Sequence, residues 1–116
     1  MAKRKKSNLK KKQNIDTIAV HGGIEPDKLT GAVMTPIYAT STYANSSPGV
    51  NLGYEYGRSQ NPTREVLEDA LSKLENGSRA YAFASGLSAQ SAVLDLLKPG
   101  DHIIAFNDLY GGTFRL

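Results

Sequence analysis

Cysteine and tryptophan are absent from the 116 residues, and histidine and methionine occur twice each. Without cysteine there is neither a disulfide framework nor a thiolate metal site, and a cytoplasmic setting is the simpler reading. His21 and His102 lie far apart in sequence and read as ordinary turn or strand residues rather than as a ligand pair. No apolar run approaches the ~18 residues of a membrane span, and the opening MAKRKKSNLKKK lacks the apolar centre of a secretory signal, so no membrane partner is expected. Acids are also missing from residues 1–12, which hold seven basic side chains. The other 104 residues carry seven bases against eleven acids, a net charge of −4, so the overall +3 belongs to the tail. Such a like-charge block repels itself, and residues 1–14 read as a disordered basic tail. With no aromatic side chain to stack on bases, nucleic acid is not an expected partner; a weak, salt-sensitive contact with RNA is the alternative.

What is present changes character along the chain. Residues 15–60 are rich in Gly, Pro, Ser, Thr and Tyr, with Pro at 26, 36 and 48, and read as an extended N-terminal arm with short turns. At Asn61-Pro62-Thr63 a helix is expected, because Asn is a favoured N-cap and Pro is tolerated where the first helical N–H has no partner. Val66, Leu67, Ala70, Leu71 and Leu74 then form one apolar stripe, and Asn76-Gly77 ends it, with Gly77 expected in the left-handed position. Residues 79–84 suit a strand, 87–97 a second helix, Lys98-Pro99-Gly100-Asp101 a turn, and 102–106 a second strand. Helices alternating with strands predict an α/β fold with a parallel sheet, and 61–116 reads as an incomplete α/β domain. The chain ends shortly after the second strand, which reads as a fragment with room for only a small core.

In an open α/β sheet ligands gather beyond the carboxyl ends of the strands, where the first N–H groups of each helix lack an internal partner. Ser85-Gly86 holds that place, and glycine lets an anion approach the backbone. The stretch is neither G-x-G-x-x-G nor a P-loop, and a purely geometric turn stays open on these two residues alone. Two clusters strengthen the anion reading. Tyr54, Glu55, Tyr56 and Arg58 offer a guanidinium beside phenols, suited to a planar or phosphorylated ligand. Tyr110, after the second strand, would emerge on the same sheet edge as Ser85-Gly86.

AVHGG (19–23), TPIYATSTY (35–43), YEYGRSQNPTR (54–64), FASGLSA (83–89) and DLYGGTFR (108–115) occur in this order. Together they resemble the start of the Cys/Met-metabolism family of pyridoxal-phosphate enzymes, which includes cystathionine γ-synthase, cystathionine β- and γ-lyases and methionine γ-lyase. The resemblance covers residues 17–116. It implies the start of a fold-type I, aspartate aminotransferase-like large domain, with pyridoxal 5′-phosphate as cofactor and a sulfur-containing amino acid as substrate. By the same resemblance the backbone N–H groups of Gly86 and Leu87 grip the cofactor phosphate. Tyr56 and Arg58 reach that phosphate from a neighbouring subunit, in a homo-oligomer built as a dimer of dimers. Tyr110 stacks on the pyridine ring and serves as a catalytic residue, and Arg115 lies near the substrate pocket. Glu55 matches an acidic position frequent in γ-acting members and tilts the reading toward γ-lyase or γ-synthase. Neither Lys73 nor Lys98 stands in the family's Ser-x-Thr-Lys context, so the lysine that holds the cofactor and the aspartate at the ring nitrogen are expected beyond residue 116. Residues 1–116 alone are then expected to be inactive. The alternatives are a non-catalytic interaction fragment and a weak nucleic-acid binder acting through the tail.

Overall fold

The computed structural model describes residues 13–116. The expectation for the tail therefore falls, over residues 1–12, outside the described residues. The helices are α1 (Ile15–His21), α2 (Pro62–Leu74), α3 (Gly86–Leu94) and α4 (Gly111–Arg115). The chain divides into two units at Ala80/Tyr81. α2 thus belongs with the segment before it.

The first unit begins with a difference from the sequence reading. Residues 15–21, expected as part of the extended arm, are helical, with Ile18 N–H bonded to Asn14 O and Gly22 N–H to Ile18 O. Two turns bring Ile18 and its neighbours against α2, which local polarity does not announce. Gly23 then takes φ +76°, and a Cβ there would stand 2.5 Å from Val66 O and 2.9 Å from Ala70 N. Only glycine permits both that dihedral and that approach.

α2 starts as expected. The Asn61 side chain accepts the N–H groups of Thr63 and Arg64 at 2.9 and 3.3 Å, with Pro62 at the first helical position. Its far end corrects the reading in one residue. Asn76, not Gly77, holds the left-handed backbone at φ +53°. Gly77 N–H bonds Ser72 O at 2.8 Å and Asn76 N–H bonds Lys73 O at 3.4 Å, the two bonds of a Schellman ending. The side chains of the first turn reach well beyond the helix. Asn61 Nδ2 donates to Tyr38 O, Thr63 Oγ1 donates to Pro36 O and accepts from Tyr38 N–H, and Tyr54 donates to Glu65 at 2.7 Å. These bonds explain why α2 and the arm form one unit.

In the second unit, Tyr81–Leu116, the Ser85 hydroxyl caps α3 by accepting Ser88 N–H at 3.1 Å. α3 stops at Leu94, three residues short of the expected end, and tighter turn bonds (Leu96 N–H to Val93 O, Leu97 N–H to Leu94 O) lead to Lys98. The residue before a proline avoids helical backbone, and Pro99 sets that limit. The expected turn at 98–101 forms, with Gly100 at φ +99° and Asp101 accepting Lys98 N–H.

The expected strands do not form among the described residues. The isolated bridges there, Thr42↔Tyr56 and Ser47↔Val50, are antiparallel and belong to the arm. An apolar run becomes a strand only when a neighbour supplies its ladder, and 79–84 and 102–106 do not supply one for each other. No large apolar side chain is buried among the described residues: Leu67 of the α2 stripe is 51% exposed and Ile104 is 99% exposed. Side-chain hydrogen bonds and caps, rather than a core, hold each unit.

Candidate cofactor-binding site

The site is built from the cap of α3. Because Ser85 satisfies the third N–H of the helix and its carbonyl accepts Ala89 N–H, the N–H groups of Gly86 and Leu87 are left without partners among the described residues. Both point out of the positive end of the helix dipole, which favours an anion there by ~0.3–1 kcal/mol, or ~2 in a partly buried setting. A Cβ at Gly86 would meet nothing within 4 Å, so the approach to these groups is open.

α4, which the sequence reading did not expect, packs against α3. Thr113 Oγ1 donates to Gln90 Oε1 at 2.7 Å. Gln90 lies one turn after Gly86 on α3, and Thr113 follows Tyr110 by three residues, so the bond joins the two faces that carry them. Tyr110 precedes the first residue of α4, and the residue is 73% exposed. The ring lies over Gly112, which is buried; a Cβ at Gly112 would collide with Tyr110 Cε1 and stand 3.0 Å from Cδ1. The missing side chain of Gly112 is thus the seat of the tyrosine ring. Arg115 is exposed in the last turn of α4.

In the first unit, Arg58 Cζ stands 4.6 Å from the centroid of the Tyr56 ring, a cation–π pair that leaves the guanidinium exposed. The loop between them is tied down on several sides: Gly57 N–H bonds Ser41 O at 2.7 Å, and Ser59 and Gln60 N–H bond Tyr56 O at 3.0 and 2.9 Å. Arg64 donates to the carbonyls of Gly57, Arg58 and Ser59 at 3.2, 3.4 and 2.7 Å. Its Nε lies 3.4 Å from Glu68 Oε1, within ion-pair range though outside hydrogen-bond geometry. Glu55 is exposed, and its backbone carbonyl accepts Tyr43 N–H. The bond that Tyr54 donates to the Glu65 carboxylate, helped by burial, pushes the Tyr54 phenol up to about 12. A cleft of about 380 Å³ opens in this unit, lined by Glu25, Asp27, Tyr38 and Tyr54 among others; of the Tyr54, Glu55, Tyr56 and Arg58 cluster only Tyr54 borders it.

The structure thus places Gly86, Leu87 and Tyr110 in one unit and Glu55, Tyr56 and Arg58 in the other. Asn61 to Arg64 were read only as the start of α2; the reach of Thr63 and Arg64 to loop carbonyls, and Gln90, were missed. Lys73 is occupied by Asp69 at 2.6 Å on the exposed side of α2. Among the described residues no cluster of metal-ligating side chains occurs, and no helix is long and apolar enough to cross a membrane. Two outward N–H groups, an unobstructed glycine and an exposed phenol ring on an adjoining helix suit a flat, phosphorylated ring.

The sequence profile of the Cys/Met metabolism PLP-dependent enzymes matches residues 16–116. The chain belongs to this family. It is 56% identical over 110 residues to a cystathionine β-lyase of Coxiella burnetii, a match covering 95% of this chain and 28% of that protein. A cystathionine γ-lyase of Bacillus subtilis is 49% identical over 100 residues, covering 86% and 26%. Among solved structures, metB of Corynebacterium glutamicum is 45% identical with a TM-score of 0.79, over 89% of this chain and 27% of that one. A cystathionine γ-lyase of Lactobacillus plantarum complexed with L-serine is 48% identical with a TM-score of 0.77. The chain therefore spans little more than a quarter of the relatives it matches. Pyridoxal phosphate, the cofactor of the family, is the phosphorylated ring that the donor set fits.

Proposed function

We propose that this chain supplies the phosphate grip and the ring-facing tyrosine of a pyridoxal-phosphate enzyme that makes or breaks C–S bonds of cystathionine-type amino acids. The observation that carries the reading is the pair of partnerless N–H groups at Gly86 and Leu87, joined to Tyr110 through the Thr113–Gln90 bond in a chain of this family. The segment is the start of a fold-type I large domain, preceded by the arm, and it works in the cytoplasm within a dimer of dimers.

Pyridoxal phosphate held there would supply an aldehyde for the substrate amine and an electron sink for the substrate carbon that loses a proton. The protein's own residues do the rest. Gly86 and Leu87 hold the phosphate by charge-assisted hydrogen bonds, and Tyr56 and Arg58 of a neighbouring subunit close over its other side. Tyr110 lies against the ring and stands near the atoms that exchange protons. Arg115 lies near the substrate pocket. The lysine that anchors the cofactor and the acid at the ring nitrogen lie outside these 116 residues, and the chain by itself turns over nothing.

Glu55 favours γ-chemistry, although relatives named β-lyase and γ-lyase both match over this segment. Product analysis of cystathionine cleavage by the holoenzyme separates the two. γ-Elimination releases cysteine, 2-oxobutyrate and ammonia; β-elimination releases homocysteine, pyruvate and ammonia. Cleavage of neither kind, with no replacement activity on an activated homoserine, contradicts the reading.

A further inference from the structure

The capping logic of Asn61-Pro62 gives no reason for an arginine two residues later. The first turn of a helix favours acids, and a guanidinium there works against the dipole. Arg64 sits in that turn nevertheless, and it turns back out of the helix to bond three successive carbonyls, those of Gly57, Arg58 and Ser59. Its planar fork spans carbonyls that a single ammonium cannot cover together. The same loop is closed from within by Ser59 and Gln60 N–H on Tyr56 O, and from outside by Gly57 N–H on Ser41 O. With its carbonyls gathered inward on Arg64, the loop carries the stacked Tyr56 and Arg58 pair.

We propose that Arg64 is a positioning residue that holds the 57–59 loop so that Tyr56 and Arg58 are presented to the cofactor phosphate. The proposal rests on the reading that these two residues meet that phosphate. Arg58 is long and exposed, and ordering it at the moment of binding opposes affinity; a loop fixed beforehand lowers that cost. Arg64 touches no cofactor itself, so its effect is confined to the phosphate end.

The test compares the holoenzyme with Arg64→Ala, Arg64→Lys, Arg58→Ala and the Arg58→Ala/Arg64→Ala double variant. Two readouts are taken: amide hydrogen exchange at Ser59 and Gln60, and dissociation constants for pyridoxal phosphate and for pyridoxal, which lacks the phosphate. Arg64→Ala is expected to speed exchange at both amides and to weaken pyridoxal phosphate about tenfold, the scale of one charge-assisted contact, while pyridoxal binding stays put. Arg64→Lys, which keeps the charge and the fold, should restore neither readout, and the double variant should be little weaker than Arg58→Ala alone. A loosened loop with unchanged preference for the phosphorylated ligand, full rescue by lysine, or additive losses in the double variant would overturn the proposal. If Arg58→Ala itself leaves that preference unchanged, the reading of Arg58 fails first and the proposal falls with it.

Discussion

Replacing Asn61 tests what holds the first unit together. Its Oδ1 accepts two N–H groups at the start of α2, and its Nδ2 donates to Tyr38 O at 3.0 Å. Asn61→Ala removes an N-cap, worth ~1 kcal/mol, and an exposed hydrogen bond at the low end of ~0.5–1.5 kcal/mol, so the loss is about 1.5 kcal/mol. Asn61→Asp keeps the acceptor, loses the donor to Tyr38, and adds a negative charge at the helix start worth ~0.3–1 kcal/mol, which offsets most of the lost bond. In urea unfolding followed by circular dichroism at 222 nm, with a slope of ~1–3 kcal/mol/M, the alanine variant should lower the midpoint by about 1 M and the aspartate variant hardly at all. Equal losses in the two variants would show that the cap is not the governing interaction. No loss in either would refute the claim that side-chain bonds, rather than a core, hold this unit.

Two further outcomes follow from particular contacts. The Tyr54 phenol, raised above its ordinary value of 10.0 to about 12 by Glu65, stabilises the fold fully below pH 10 and loses that contribution as pH climbs through 12. Phenolate absorbance at 295 nm should show a late-titrating component that Tyr54→Phe removes and Glu65→Gln returns toward 10; a late component that survives Tyr54→Phe unchanged would contradict it. Gly112→Ala should leave unfolding within ~1 kcal/mol, since alanine is the better helix former, yet displace the exposed Tyr110 ring and weaken cofactor binding. Unchanged affinity would mean that the ring has no set place.

The parts that could be read from the sequence are those governed by near neighbours. The start of α2 at Pro62 and the turn at 98–101 depend on residues within about four positions, and both stand where the residue types put them. The left-handed position after α2 slipped by one because asparagine tolerates that backbone almost as glycine does. α1 was hidden by the Gly- and Pro-rich stretch that follows it, and its two turns lean on α2 rather than on propensity. The strands were overread, since alternation of apolar residues states a preference while a ladder needs a neighbour. In the proposed site, Gly86, Leu87 and Tyr110 were singled out through the family resemblance. Arg64 and Thr63 were not, because their partners are backbone carbonyls in loops up to 27 residues away, and no residue type advertises a carbonyl.

The central claim concerns the two open N–H groups that begin α3, and proline at position 86 tests it most directly. Proline suits the first helical position, and Ser85, at φ −151° and ψ 155°, already has the backbone a proline requires before it. Gly86→Pro therefore keeps α3 and deletes one phosphate donor. The holoenzyme variant should show unchanged helicity, unchanged affinity for pyridoxal, and affinity for pyridoxal phosphate lower by about tenfold to a hundredfold, the loss of one hydrogen bond to a charged group. Equal affinity of variant and parent for pyridoxal phosphate would contradict the account.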